Sequence, residues 1–546
     1  MTDYAPMPAT MMHMPMTVQL MLRHGATVFP DSLIAEFDGE RIVNTTFAEV
    51  AANAVRLANL LRDLGVRPGD RVGTFSWNTR EHQEAYLSIP SLGAIMHTVN
   101  VRLSTEQIAW VINHAEDRVL VVDARLLNVL APALPLLKSV EHLLLVGDNS
   151  DHYDLPSGIA CHDYATAVAA QSDEISWPDL DENAAAGVCY TSGTTGNPKG
   201  VVYSHKTTYL HAIASRATDT FGICEADRLL LVPPMFHANS WGMPYSGWFS
   251  GSDLIMPGPF LQAENLVRLI QSERPTFSAM VPTVLGDLLK APDNSLDMGC
   301  FRVLVSGGAA VSPAMIDAVR EKWGVPLLQG WGMTETSPMC VLSHPPKYQD
   351  GQAESYWRAK SGRPVPGIEV RALSSDGSLL PRDGASVGEL QLRGPWVTGG
   401  YHGIDAADSF TQDGWLRTGD VGHIDSRGFV QLTDRTKDVI KSGGEWISSV
   451  DLENALAAHP DVVEAAVIAI EDERWQERPL GIIVANRPGL QPSELRSFLD
   501  SKVARFWIPE KWAFVDQIEK TSVGKLDKKR LRDRRDAHDF NIVRAT

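Results

Sequence analysis

Short apolar runs and helix-periodic stretches take turns along the larger, N-terminal part of this chain, and that alternation excludes most folds. Residues 33–37 and 41–43 flank Asp38-Gly39-Glu40 as a hairpin. Thr46 then opens a helix in which Phe47, Val50, Ala51, Val55, Leu57, Leu60 and Leu61 recur at helical spacing, and Gly65 stops it. Strands are predicted at 70–75, 119–122, 143–146, 229–232 and 301–305. Helices are predicted at 84–93 and 123–130, with another opening at Pro313, where proline is tolerated in the first turn. Strands that return through helices make a largely parallel sheet covered by those helices. Residues 151–181 are polar and read as irregular.

With 546 residues the chain has room for about three or four folding units. Its 44% hydrophobic and 21% charged content is that of a soluble globular enzyme. The net charge of -18 argues against a nucleic-acid partner. Cys161, Cys189, Cys224, Cys300 and Cys340 are dispersed, with no CxxC pair. That pattern fits free thiols in a reducing compartment, so a cytoplasmic location and no structural zinc are expected. The methionine-rich start (Met1, Met7, Met11, Met12, Met14, Met16) is interrupted by Asp3, Pro8, His13 and Pro15, and reads as a flexible lead-in rather than a signal or anchor. No run of roughly 18 apolar residues occurs, so no transmembrane span is expected.

Residues 190–200 read YTSGTTGNPKG, between the apolar runs Gly187-Val188-Cys189 and Val201-Val202. This is a strand, a tight loop and a second strand. The glycines let backbone N–H groups converge, and hydroxyls and Lys199 add donors and charge: a cradle for phosphate oxygens. It is not the common phosphate loop, which needs G-x-x-x-x-G-K-[S/T] opening a helix; here Pro198 removes an N–H and disfavours helix at Asn197. Composition alone leaves a plain surface hairpin open.

The string as written resembles the signature of the adenylate-forming enzyme superfamily, and further motifs extend the resemblance from about residue 17 to about residue 531. The resemblance implies that Thr191, Ser192, Gly193, Thr194, Thr195, Gly196 and Lys199 hold the phosphates of ATP. PPMFH, ending at His237, is similar to the family's second signature and follows a predicted strand, where functional residues of open α/β sheets collect. A lone histidine is more often structural; the motif makes His237 a candidate catalytic residue. Trp241 matches a tryptophan that gates the acyl tunnel in fatty acyl-CoA synthetases. Gly307, Gly308 and Ala309 match a loop lining adenine and the acyl group. In LLQGWGMTETSP, Gln329, Gly330 and Trp331 match the nucleotide contacts, with Trp331 where an aromatic ring, more often tyrosine, stacks on adenine. Thr334 would contact phosphate or the acyl carboxylate. Glu335, with the Thr191 hydroxyl, is the implied Mg²⁺ ligand, an oxygen donor suited to that cation. In WLRTGD, Asp420 matches the acceptor of the ribose hydroxyls.

The family joins a large domain to a small one at the motif Thr433 to Asp438. The resemblance therefore implies an α/β protein with a large multi-subdomain N-terminal adenylation domain (1–434) and a small, mobile α+β C-terminal domain (435–546) joined by a hinge. Residues 361–393 read as a β-rich subdomain of the former. Within the latter, helices are predicted at 449–458 and 495–503 and strands at 462–470 and 480–484. Arg435 matches a ribose contact and Lys437 the hinge. Lys437, Lys441 and Trp446 match nucleotide contacts of the closed state. Gly443 and Gly444 would let a pantetheine chain pass close to the backbone. Lys525, last in K-T-S-V-G-K, matches the catalytic lysine; Glu519 stands where the family has proline.

What this implies is an ATP-dependent acid–thiol ligase that makes acyl-CoA through acyl-AMP, with ATP, Mg²⁺ and coenzyme A and a medium- or long-chain fatty acid as substrate. An aromatic or short branched-chain acid, or a carrier protein in place of CoA, are the alternatives. Similar bacterial synthetases are homodimers, and no partner beyond small molecules and at most peripheral membrane contact is implied.

Overall fold

The computed structural model describes all residues except 1–6, 8, 148–155, 157, 192–196, 293–295, 350, 375, 436, 443, 444, 501, 522–525, 545 and 546. Among the described residues, strands assemble into four sheets. The first is ordered Ala160–Asp163, His142–Val146, Asp117–Asp123, Arg71–Phe75, Ile95–Thr98, Ala185–Thr191 and Lys199–Ser204. Its pairings are parallel except the last, an antiparallel hairpin at the sheet edge. The glycine-rich loop of the sequence joins those two edge strands.

The second sheet runs Arg363–Pro364, Met339–Leu342, Leu327–Gly332, Val303–Gly307, Phe277–Met280, Arg228–Leu230, Asp253–Met256, Leu33–Phe37 and Ile42–Thr46. It is parallel in the middle and antiparallel at both ends. The hairpin expected at 33–43 is one of those ends. Its second strand runs into the helix Phe47–Asp63, where Thr46 and Glu49 cap each other's backbone N–H groups. Apolar side chains from both sheets merge into one core. At its centre Trp248 is fully buried, stacks on Phe47 with ring centroids 4.2 Å apart and donates its indole N–H to Met21 O.

The third sheet is the antiparallel set Glu369–Leu373, Gly388–Arg393, Leu416–Ile424 and Val430–Arg435. The fourth contains Glu445–Ile447, Ile440–Ser442, Gln476–Ala485, Lys511–Phe514 and Ile542–Arg544, with Val462–Asp472 paired to Gln476–Ala485. Helices Ser449–Ala457, Pro492–Leu499 and Lys528–Asp536 accompany it, so this part is α+β. The expectation of an α/β protein with a large N-terminal and a small C-terminal unit therefore holds.

Two local expectations are corrected. Residues 151–181 are not wholly irregular: Ala160–Asp163 adds a parallel edge strand and Asp163 caps the helix Tyr164–Ala169 by accepting from Thr166 N. Polar residues hid a strand that needs no apolar face at a sheet edge. The helix predicted at 84–93 begins at Arg80, capped by Thr79. Its first turns bury His82, Gln83 and Glu84, so hydrophobic periodicity missed them.

That burial has a pH consequence. His82, His205 and His211 are buried, and desolvation pushes each down to about 4 from an unfolded value near 6.5. Below pH 6.5 the unfolded chain takes up protons that the native state refuses. Stability from these groups is thus complete above 6.5 and is lost as pH falls toward 4. Each should lose roughly 1.4 kcal/mol per pH unit inside that window. His211→Gln should flatten the fall in melting temperature between pH 6.5 and 4; an unchanged slope would count against it.

Candidate active site

The hairpin strands Ala185–Thr191 and Lys199–Ser204 bring Thr191 opposite Lys199, and Lys199 N donates to Thr191 Oγ1 at 3.4 Å. Ser192, Gly193, Thr194, Thr195 and Gly196 lie outside the described residues. Against this hairpin packs the short 3₁₀ turn Thr334–Thr336, which follows strand Leu327–Gly332. Tyr203 OH reaches across to Thr334 O at 2.8 Å.

Glu335 is 9% exposed, and Tyr401 OH donates to its Oε1 at 2.8 Å. Burial raises the carboxyl's pKa; the nearby Asp420 charge pushes the same way, while the Tyr401 hydroxyl and Arg435 oppose them. The Tyr401 ring also carries Lys199, whose Nζ lies 4.8 Å from its centroid. One phenol thus ties the cation of the hairpin to the carboxylate of the turn.

A second constellation lies beside it. Trp331 is buried, and its Nε1 donates to Asp420 Oδ2 at 2.8 Å. Arg435 Nε is 3.3 Å from Asp420 Oδ1, with the arginine side chain half exposed. Strand Leu416–Ile424 supplies Asp420 and strand Val430–Arg435 pairs Arg435 directly opposite it. Gln329, two residues before Trp331, is buried and accepts from Val311 N at 2.7 Å, which fixes the loop after strand Val303–Gly307.

Gly307 ends that strand and faces Gly330 on its neighbour. A Cβ at Gly307 would lie 2.8 Å from Gly330 O and 3.2 Å from Trp241 Cη2, so only glycine lets the indole settle there. Gly308 follows with φ of +80°, and Ala309 is exposed. Trp241 gets there by a left-handed turn: Ala238, Asn239, Ser240 and Trp241 have φ of 45°, 51°, 49° and 57°. Such residues cost about 1–2 kcal/mol each. Ser240 Oγ donating to Pro233 O at 2.6 Å, and Asn78 bridging Leu231 O, Pro233 O and Met235 N, hold the turn. His237 precedes it in extended conformation.

Lys437 and Lys441 are exposed beyond strand Val430–Arg435, and Lys441 N donates to Glu477 at 2.7 Å. Trp446 pairs with Lys441 by backbone register. Gly443, Gly444 and Lys525 lie outside the described residues. Two contacts tie the end of strand Val430–Arg435 and the residues after it to the helices that follow: Ser449 N donates to Asp434 Oδ2 at 2.7 Å, and Arg532 pairs with Asp438.

Residues 22–402 match the family model described as AMP-binding enzyme, and residues 451–525 match its C-terminal domain. The chain belongs to the AMP-binding enzyme family. It is 41% identical over 532 residues to a 3-methylmercaptopropionyl-CoA ligase of Ruegeria lacuscaerulensis, covering 96% of this chain and 98% of the relative. It is also 41% identical over 536 residues to a long-chain-fatty-acid–CoA ligase of Thermus thermophilus, covering 96% and 97%. A crystal structure of the anthranilate CoA ligase AuaEII in complex with anthranoyl-AMP superposes with a TM-score of 0.86 at 26% identity, over 98% of this chain and 100% of that one.

The donor set of this AMP-binding enzyme fits a hard cation. Glu335 is a buried carboxylate held by one phenol and within electrostatic reach of a second carboxylate, the kind of oxygen donor a hard cation takes. Tyr401 and Tyr203 were not singled out in the sequence. Tyr401 lies in a glycine-rich stretch, 394–403, and an aromatic ring directly after the glycine pair Gly399-Gly400 is the signal that could have found it.

Proposed function

We propose that this enzyme is an ATP-dependent acyl-CoA ligase whose acid is a medium- or long-chain fatty acid. The observation that carries the reading is the linked contact of Lys199, Tyr401 and Glu335 beside that of Trp331, Asp420 and Arg435, which suits one nucleotide and its phosphates. On this reading the domains meet between 434 and 435, before the last residue of strand Val430–Arg435.

A carboxylate cannot expel oxide, so it must first be activated. Its oxygen attacks the α-phosphorus of ATP, the new O–P bond replaces the bond to the β-phosphate oxygen, and pyrophosphate leaves. Lys199 and the backbone that follows Thr191 hold the departing phosphates. Trp331 stacks on adenine, and Asp420 with Arg435 takes the ribose hydroxyls. Mg²⁺ held at Glu335 and Thr191 would neutralise phosphate charge. Lys525 brings its ammonium to the carboxylate and α-phosphate, where negative charge concentrates in the transition state. In the second step the thiol sulfur of CoA attacks the acyl carbonyl, its proton passes to solvent, and AMP leaves. The small domain reorients between steps, opening a path for the thiol past Gly443 and Gly444. The same reading takes the enzyme as a cytoplasmic homodimer; no helix among the described residues is long and apolar enough to cross a membrane.

The Thermus relative, a long-chain-fatty-acid–CoA ligase at 41% identity, supports the fatty-acid reading. A short thioether acid is the second reading, favoured by the Ruegeria relative at equal identity. Thioester formation with CoA should therefore be measured across straight-chain acids from propionate to palmitate, 3-methylthiopropionate and benzoate. Highest kcat/KM on a straight chain of eight or more carbons is expected; a maximum on 3-methylthiopropionate would transfer the assignment to the second reading, and one on benzoate would overturn both.

A further inference from the structure

The segment that carries Tyr401 lies between strands Gly388–Arg393 and Leu416–Ile424. It clasps the two parts of the site from outside. His402 N donates to Gly200 O at 2.8 Å, Thr398 N donates to Glu335 O at 2.8 Å, and Ser337 Oγ donates to Trp396 O at 2.9 Å. A Cβ at Gly200 would meet Tyr190 Cζ at 3.1 Å and His402 Cβ at 3.2 Å, so the hairpin is glycine where the clasp lies against it. Tyr401 is the side chain of this segment that touches both charged groups. Its ring also packs on the small cluster of Cys189, Val201 and Tyr203, which limits its freedom to turn away.

We propose that Tyr401 is a positioning residue for adenylate formation, its hydroxyl fixing the aim of Glu335 and its ring seating Lys199. The inference rests on the proposed adenylation chemistry. A carboxylate of a buried turn can rotate about its terminal bonds, and a single phenol donor selects one orientation. A lysine is a flexible point charge with several rotatable bonds, and an aromatic face narrows where its ammonium dwells. Both effects bear on the nucleotide through other residues; Tyr401 itself need touch no reacting atom.

The hydroxyl and the ring separate in two variants. Tyr401→Phe keeps the ring and drops the donor; Tyr401→Leu drops both. Each is to be made alone and with Glu335→Gln, in the full-length protein. Two readouts apply: acid-dependent ATP–pyrophosphate exchange, and Mn²⁺ affinity by electron paramagnetic resonance in the complex with a non-hydrolysable ATP analogue. Tyr401→Phe should weaken Mn²⁺ binding and lower kcat by roughly 10-fold or more, the range of a hydrogen bond to a charged group. In the Glu335→Gln background it should add less than about 2-fold on the Mn²⁺ readout, because its partner's charge is already gone. Tyr401→Leu should raise KM for ATP by a further 2- to 5-fold or so, the range of an exposed cation–π contact. Wild-type affinity and rate in Tyr401→Phe would overturn the hydroxyl's role, as would an equal loss with and without Glu335. Identical KM in the Phe and Leu variants would overturn the ring's role. Absence of exchange in the wild-type enzyme would instead count against the adenylation chemistry, and the Mn²⁺ readout would still judge Tyr401.

Discussion

Lys525→Ala should reduce acyl-adenylate formation by at least about 10²- to 10³-fold, the scale of losing one electrostatic donor in a closed site. Thioester formation from supplied acyl-AMP and CoA should stay within a few-fold of wild type. The asymmetry follows from charge. In the first step a carboxylate approaches a polyanion, and both the nucleophile and the α-phosphate need a cation between them. In the second step a neutral carbonyl accepts sulfur and a stabilised phosphate leaves, so the ammonium has no such task. The flanks of the motif tie into the small domain: Lys520 pairs with Leu526 as an isolated bridge, and Lys520 Nζ is 3.0 Å from Glu464. The contacts between Ser449 and Asp434, and between Arg532 and Asp438, join the proposed hinge residues to that domain. Any reorientation that withdraws the lysine must renegotiate them. Equal loss of both half-reactions would remove the two-state part of the account.

Glu335→Gln should lower adenylate formation by about 100-fold or more, since on the proposed reading it removes the charge that would hold Mg²⁺, worth several kcal/mol in the transition state. It should not destabilise the fold. The carboxylate is buried, its charged form is disfavoured by that burial, and glutamine keeps an oxygen to accept from Tyr401. The melting temperature should therefore hold or rise by a few degrees, the sign expected where an active site keeps a costly group for its chemistry. A large drop in melting temperature with nearly normal exchange would mean that Glu335 is a structural residue.

Much of the fold was legible because local signals agreed with it. Thr46 marked a helix start, which the structure completes with Glu49 as a mutual cap, and Asp38-Gly39-Glu40 marked the hairpin that became a sheet end. The strand–loop–strand reading of 187–202 was met by an antiparallel pair with Thr191 opposite Lys199. What escaped were places where polar residues are buried or where partners are far apart in sequence. The helix from Arg80 buries three polar side chains in its early turns. Trp331 and Asp420 each drew attention singly, yet they are 89 positions apart and nothing local says that the indole N–H is spent on that carboxylate. Tyr401 stands 66 positions from Glu335, and its role exists only once two sheets and a loop have met. The left-handed turn through Trp241 was also invisible, because alanine, serine and tryptophan there carry no preference for positive φ.

The most direct test is exchange of labelled pyrophosphate into ATP by the purified full-length enzyme, with Mg²⁺ and one saturated fatty acid at a time, in the absence of CoA. Exchange that requires the acid, proceeds without the thiol and disappears in Lys525→Ala is the expected result. No exchange with any carboxylic acid, or exchange that begins only when CoA is added, would contradict an adenylate made before the thiol arrives.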